Sequence, residues 1–448
     1  MKFKSILLII ICSFFLSSCG LSKETSVVPI EKEPSQSEDT SNNELPQIIV
    51  SDNTAAKADT TISESAVDAY VLSEEEKNNP RLSVIEPSIP DKITLLFAGD
   101  INFDDSYSNM TAFRSRANGI YDTLSGELME ELQNADITMV NNEFPYSLRG
   151  TPTSGKRFTF RADPSRVEIL NQMGVDIVSL ANNHAYDHGV DALLDTFDTL
   201  DGAQIAYVGA GRNIQEAMKP YYYIIGNTKI AYVSATQIER NDPPDTKEAT
   251  DDSPGVLRTL NPERFVSVIE EAKANSDFVV VYVHWGTENV YEIEQAQRDL
   301  AAAYEQAGAG LIIGDHPHCL QGIEYINQTP VIYSMGNFWF NSKNLDTGIV
   351  KATLNADGSL ESFQFLPCLQ HDCQTDLLIS GKDSDYDRIL GVMAGLSSNV
   401  SILSDGTVQS GSGPGVAAIA PRELKKPAYA VSGNTMQTIS GSTSNVAE

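Results

Sequence analysis

Seven short apolar runs, at residues 93–98, 137–140, 177–180, 230–234, 278–283, 311–313 and 331–333, punctuate the middle of this chain, and six of them break off into a polar cluster. The clusters are Gly99-Asp100, Asn141-Asn142-Glu143, Ala181-Asn182-Asn183-His184, His284-Trp285-Gly286, Gly314-Asp315-His316-Pro317-His318 and Ser334-Met335-Gly336-Asn337. Apolar runs this short read as strands buried in a sheet, and the amphipathic stretches at 124–134, 165–173, 190–200, 262–274 and 294–307 read as helices that cover its faces. The predicted class is therefore α/β, without an internal repeat. In open sheets of this class ligands bind beyond the carboxyl ends of the strands, so the clusters are expected to converge on one cleft.

Histidine placement sharpens this expectation. The chain has six histidines, and His184, His284, His316 and His318 all directly follow a predicted strand, with His188 one helical turn beyond His184. Together with Asp100, Glu143 and Asn183 they form a mixed nitrogen and oxygen donor set, which suits one or two divalent Mn, Zn or Fe ions better than Mg or Ca. Structural zinc recruits thiolates and closes its shell, whereas this set points to an open, catalytic type of site. Each residue also has a plainer reading: Asp100 as a turn or cap residue, Glu143 as an ion-pair partner at a sheet edge, His284 as a hydrogen-bonded core histidine. His316-Pro317-His318 resists such a reading, because two histidines flanking a rigid proline at a strand end are an uncommon structural choice.

A net charge of -30 excludes nucleic acid as a partner, since phosphate binding needs clustered Lys and Arg. Any grip on an anionic substrate must be local, through a metal or a few cations. Arg157 and Arg161, in the basic stretch 156–161, are a candidate anion clamp, with a solvated edge strand as the competing reading. The ends differ from the middle. Residues 1–19 read as an export signal with Lys2 and Lys4 ahead of an apolar run too short to span a bilayer. Leu16-Ser17-Ser18-Cys19 resembles a bacterial lipobox, which predicts cleavage before Cys19 and a lipid anchor on its thiol. The polar stretch 20–91 is expected to be a disordered tether, 92–408 the folded domain and 409–448 a disordered tail. Cys319, Cys368 and Cys373 then remain, and the sequence leaves open whether Cys368 and Cys373 pair.

Gly99-Asp100, Asn142-Glu143, residues 179–184 with Asp187 and Gly189, His284-Trp285-Gly286 with Glu288, Gly314-x-His316-Pro317-His318 and Ser334-x-Gly336-Asn337-Phe338 resemble, in order, the motifs of CapA-type poly-γ-glutamate capsule synthesis proteins. The resemblance covers roughly residues 92–370. It implies a calcineurin-like metallophosphoesterase fold, a four-layer α/β/β/α sandwich, and a role in making or exporting poly-γ-glutamate at the outer face of the bacterial membrane. It also implies Asp100, Glu143, Asn183, His284, His316 and His318 as metal ligands and His184 as a general acid in metal-assisted hydrolysis or transfer. Asn102, Asn142, Glu288 and Asn337 join Arg157 and Arg161 as candidate substrate contacts. Asn102 stands where metallophosphoesterases carry a histidine, and Glu143 where they carry a shorter aspartate, which would weaken one metal position. Three functions stay open: a subunit of polymer assembly, a secreted metal-dependent phosphoesterase, and a non-enzymatic scaffold of a membrane synthase or exporter complex.

Overall fold

In the computed structural model, which describes residues 70–238 and 246–423, the strands are β1 (Leu82–Ile85), β2 (Lys92–Ile101), β3 (Ile137–Asn142), β4 (Ile177–Ser179), β5 (Ala206–Val208), β6 (Ala210–Gly211), β7 (Tyr221–Ile225), β8 (Thr228–Thr236), β9 (Gly255–Val256), β10 (Phe278–His284), β11 (Leu311–Asp315), β12 (Leu320–Ile326), β13 (Thr329–Met335), β14 (Asn337–Trp339), β15 (Leu345–Asn355), β16 (Leu360–His371), β17 (Gln374–Leu377), β18 (Val400–Ile402) and β19 (Val408–Ser410). One sheet runs β1-β7-β8-β10-β11-β13-β12, the other β17-β16-β15-β2-β3-β4-β5 with β14 also on β2. Strands β8, β10, β11 and β13 run parallel to one another in the first sheet, as do β2, β3, β4 and β5 in the second, while β7 and β15 flank these runs antiparallel. The expected strands all fall on these elements, with 177–180 running one residue past the end of β4.

Side-chain alternation along the strands generates the layers. In β2, Leu95 and Phe97 face the apolar core between the sheets, while Leu96 and Ala98 face outward. In β10, Val280 and Tyr282 point inward, and Val279, Val281 and Val283 outward. Helices Gly126–Asn134, Glu168–Met173 and Val190–Ala203 cover the outer face of the second sheet. Helices Glu263–Ala274 and Gln295–Ala307 cover the first. Each fully buried Leu, Ile, Val or Phe contributes about 1.5–3 kcal/mol relative to exposure, so both strand faces must be covered. The result is the four-layer α/β/β/α order that the resemblance implied. Helix Tyr386–Leu396 closes one end of the inter-sheet core with Ile389, Leu390 and Met393, packed against β12 and β16.

Register is set by an aspartate before three of the parallel strands. Asp136 donates its N–H to the Thr94 carbonyl and accepts the Thr94 N–H at 2.7 Å. Asp176 makes the same exchange with Thr138 (2.8 Å), and Asp277 with Lys229 (2.8 Å). Each carboxylate thus satisfies a backbone donor at the sheet margin that the ladder leaves over.

Two expected boundaries are corrected. Within the stretch expected as tether, β1 pairs in parallel with β7, from Leu82 opposite Tyr222 to Ile85 opposite Ile225. Arg81 anchors it by donating to the carbonyls of Pro220 (3.1 Å), Tyr207 (2.6 Å) and Lys219 (3.3 Å). Composition hid this, because one short edge strand held by backbone pairing needs little apolar periodicity. Beyond residue 408, β19 pairs with β18, and Ile419 donates its N–H to the Gly391 carbonyl (2.7 Å). A Cβ on Gly391 would stand 2.6 Å from Ile419, so that glycine makes room for the crossing. The expected export signal, Cys19 and the outer parts of the expected tether and tail lie outside the described residues. Cys319, Cys368 and Cys373 are buried free thiols. Among the described residues, no helix is long and apolar enough to cross a membrane.

Candidate metal centre

The carboxyl ends of β2, β3, β10 and β11 and the loops after β4 and β11 bring the polar clusters together. Asp100, at the end of β2, accepts from Asn141 Nδ2 (2.7 Å) and lies 3.1 Å from His318 Nδ1. Asn141 also reaches His284 Nδ1 (3.2 Å), which links the second sheet to the first. His284 Nε2 meets Asn183 Oδ1 at 2.8 Å, His316 Nδ1 at 3.0 Å and Glu143 Oε1 at 3.4 Å. Asn182 donates to Asn141 Oδ1 (3.1 Å) and to the Asn142 carbonyl (2.9 Å), tying the loop after β4 to β3.

Two groups of donors have the spacing a metal requires: Glu143 with His284 and His316, and Asp100 with Glu143 and His318, the donor atoms of each lying within 4.8 Å of one another. Glu143 belongs to both. Its carboxylate is fully buried, and neither oxygen accepts a hydrogen bond among the described residues. Leaving a buried carboxylate unpaired costs several kcal/mol, and a shared cation removes that cost. The donor set therefore fits divalent metal, with Glu143 common to both groups.

Electrostatics agree with the geometry. Burial, reinforced by Asp100, pushes the Glu143 carboxyl up, against the pull of His318 and His284. Burial also opposes ionisation of Asp100, yet His318, His284 and Asn141 outweigh it and hold that carboxyl below its ordinary range. At His318 burial disfavours the cation, but Glu143, Asp100 and Glu288 prevail and lift the imidazole to about 10. Those carboxylates make a pocket for positive charge, which a divalent ion can supply in place of the proton. His316 is held well below its ordinary value by burial and by His284, so it is neutral and able to ligate. His316 and His318 have φ of 103° and 55°. Non-glycine residues in that region cost on the order of 1–3 kcal/mol each, a strain found where a side chain has a fixed task.

His184 sits at the edge of this centre. Its Nδ1 lies 2.6 Å from Asp187 Oδ2, which turns Nε2 toward Glu143 Oε1 at 3.9 Å. Burial and the Lys156 ammonium hold His184 well below its ordinary value.

The remaining candidates divide. Asn337 accepts from His318 Nδ1 (2.8 Å), and Glu288 is near enough to His318 to raise it. Asn142 donates to the Phe144 carbonyl (2.6 Å), and its buried oxygen has no partner among the described residues. Asn102 spends its side-chain oxygen on the Asp104 N–H (2.9 Å), which removes its best donor atom from the centre. The expected Arg157 and Arg161 clamp is not formed. Arg157 is exposed over the Phe158 ring, and the Arg161 guanidinium donates to the Arg149 carbonyl (2.9 Å). The cation that does reach the site is Lys156, which ion-pairs with Asp187 Oδ1 (2.6 Å) and donates to the Asn183 carbonyl. Sequence reasoning also passed over Asn141 as an individual residue and Asp315, which accepts from Tyr282 Oη and is held well above the carboxylate range by burial and Asp100. Both are direct neighbours of residues that were singled out.

An α/β/β/α sandwich with an acid and histidine cluster at its strand ends is the arrangement that the resemblance to metallophosphoesterase-like proteins implied. The family model described as bacterial capsule synthesis protein PGA_cap matches residues 94–342, more than half of the chain, and the chain belongs to that family. It is 35% identical over 208 residues to the PGA biosynthesis protein CapA of Bacillus subtilis (strain 168), covering 46% of this chain and 53% of that protein. Capsule biosynthesis protein CapA of Bacillus anthracis is 32% identical over 238 residues, covering 51% and 57%. A probable polyglutamine synthesis accessory protein of Mycobacterium tuberculosis is 27% identical over 277 residues, covering 56% and 72%. The chain spans about half the length of the Bacillus relatives it matches.

Proposed function

We propose that this protein takes part in assembling or exporting an anionic capsular polymer of the poly-γ-glutamate class, through a centre in which two donor groups that share Glu143 would hold divalent metal. The observation that carries the reading is the buried Glu143 carboxylate, which accepts no hydrogen bond among the described residues and is common to both donor groups. Membership of the capsule synthesis family and the naming of the Bacillus relatives supply the polymer. Glu143, His284 and His316 would hold one ion, with Asn183 Oδ1 beside them, and Asp100, Glu143 and His318 the other. The mixed nitrogen and oxygen set favours Mn, Zn or Fe.

When bound, such ions polarise a substrate oxygen and lower the pKa of nearby water. The chain's own groups do the rest. Asn141 holds Asp100 and His284 through hydrogen bonds from a single amide group. His184, neutral and aimed by Asp187, would take the proton of the attacking water or hydroxyl at Nε2 and pass it to the leaving group, so that it ends the step neutral again. Asn337 holds His318 in place. A lipid on Cys19 would keep the cleft at the outer membrane surface, where the polymer emerges, within reach of a synthase or exporter complex.

The test is metal content joined to capsule formation. Purified wild type, loaded with Mn²⁺ and desalted, is expected to retain up to two ions per chain, and Glu143→Gln at most one. In a producing strain lacking the gene, wild type restores surface polymer and Glu143→Gln does not. A folded Glu143→Gln variant that restores polymer fully would show that the chain serves as a scaffold and overturn the reading.

A further inference from the structure

Residues 147–161 form a loop that closes on itself shortly after β3 and packs against the loop that carries Asn183, His184 and Asp187: Ser147 donates its N–H to the Ala162 carbonyl (2.9 Å), and Ala162 to that of Pro145 (3.0 Å). Its inner side is built on one residue of the opposite loop, Asp187. Thr153 donates its N–H to the Asp187 carbonyl (2.8 Å), Phe160 its N–H to Asp187 Oδ2 (2.7 Å), and Lys156 its ammonium to Asp187 Oδ1 (2.6 Å). The same ammonium donates to the carbonyl of Asn183, whose side chain meets His284. Phe160 also stacks on the His184 ring, centroid to centroid 4.1 Å. Lys156 is 7% exposed and Asp187 1%, so this ion pair is inside the protein, where it is screened little. The outer side of the loop is polar and exposed, apart from Leu148 and Phe158.

We propose that Lys156 is a positioning residue that clasps residues 147–161 onto the centre and, through Asp187 and the Asn183 carbonyl, sets the aim of His184 Nε2 and Asn183 Oδ1. The inference rests on the metal-centre reading above and adds to it the residue that keeps the loop and the donors in register. A rigid ligand shell held by outer hydrogen bonds binds metal more tightly than a loose one, and removing such a partner typically weakens binding 10–100-fold.

Lys156→Met, Lys156→Arg and Lys156→Met/Asp187→Asn are compared with wild type in the full chain. The double variant keeps an acceptor for His184 and removes the charge that Lys156→Met strands, so it stands in if the single variant does not fold. Two quantities are read: hydrogen exchange of peptides spanning 147–161 without metal, and Mn²⁺ affinity by titration. In Lys156→Met, exchange across the loop is expected to rise at least about tenfold with the strands unchanged, and Mn²⁺ affinity to fall on the order of 10–100-fold. Lys156→Arg should recover most of both. Affinity within twofold of wild type in a folded Lys156→Met or double variant overturns the proposal, whatever the loop does. If wild type itself takes up no Mn²⁺, the metal-centre reading fails; the clasp is then judged by exchange alone, and unchanged exchange overturns it.

Discussion

Glu143 Oε1 stands 3.4 Å from His284 Nε2, and neither oxygen of that carboxylate accepts a hydrogen bond among the described residues. A buried charge so placed stabilises a loaded centre and weakens an empty one.

Glu143→Gln should therefore have opposite effects on the two states. In chelator the variant is expected to melt no lower than wild type, since a neutral amide replaces a group that burial already pushes toward its neutral form. With Mn²⁺ at about a hundred times its dissociation constant, wild type should gain about 2.7 kcal/mol and the variant much less. Thermal melts with and without metal check this, and equal metal-induced gains in both proteins would count against a bridging role.

Asp176 predicts a pH dependence away from the cleft. Burial, helped by Asp136 and opposed by the Thr138 N–H, raises its carboxyl to about 6 from an ordinary value of 3.8. A raised carboxyl means that the folded protein binds the proton more tightly than the unfolded chain. This contribution is complete below about pH 4 and is lost as pH rises through about 6. Asp176→Asn should flatten that slope and stabilise the protein at pH 7, by at most about 3 kcal/mol for a shift of this size. Urea melts at pH 4.5 and 7 decide it. A variant less stable at pH 7 would mean that the hydrogen bond to Thr138 outweighs the burial of charge.

Gly99→Ala should dismantle the site from beneath. An added Cβ would stand 2.0 Å from the Gly336 carbonyl oxygen, at the crossing where β14 pairs with β2 beside Asp100. Overpacking usually costs about 1–3 kcal/mol, and a clash with backbone belongs at or above the upper end. Metal uptake and melting temperature should fall together.

Arg81→Ala tests the entry of the chain into the fold. Three carbonyls lose their donor, and the guanidinium leaves its seat 5.5 and 5.6 Å from the Tyr207 and Tyr221 rings. A loss of about 2–4 kcal/mol is expected. Faster hydrogen exchange confined to 82–85 and 221–225, with metal affinity unchanged, is the pattern that checks it.

Much of this was legible in the sequence for a physical reason: parallel strands buried on both faces write themselves as continuous apolar runs, and the residues after them are then conspicuous. Asp100, Glu143, Asn183, His284, His316 and His318 stood out in this way, and the fold gathers them. The later antiparallel strands were harder to read. In β15, Lys351 and Thr353 interrupt the apolar pattern of Ile349, Val350, Ala352 and Leu354. β1 is too short to signal at all. In the stretch 156–161 sequence could count cations without telling which of them turns inward. Lys156 does so because Asp187, thirty-one positions later, waits for it, whereas Arg157 rests on Phe158.

The aspartates that precede β3, β4 and β10 grip their neighbours at the margin opposite the cleft. The scaffold is thus braced by parts that take no share in whatever happens at the other edge. A descendant stripped of every histidine there would keep the same frame, so likeness of shape among such proteins is a poor witness to whether any one of them still works.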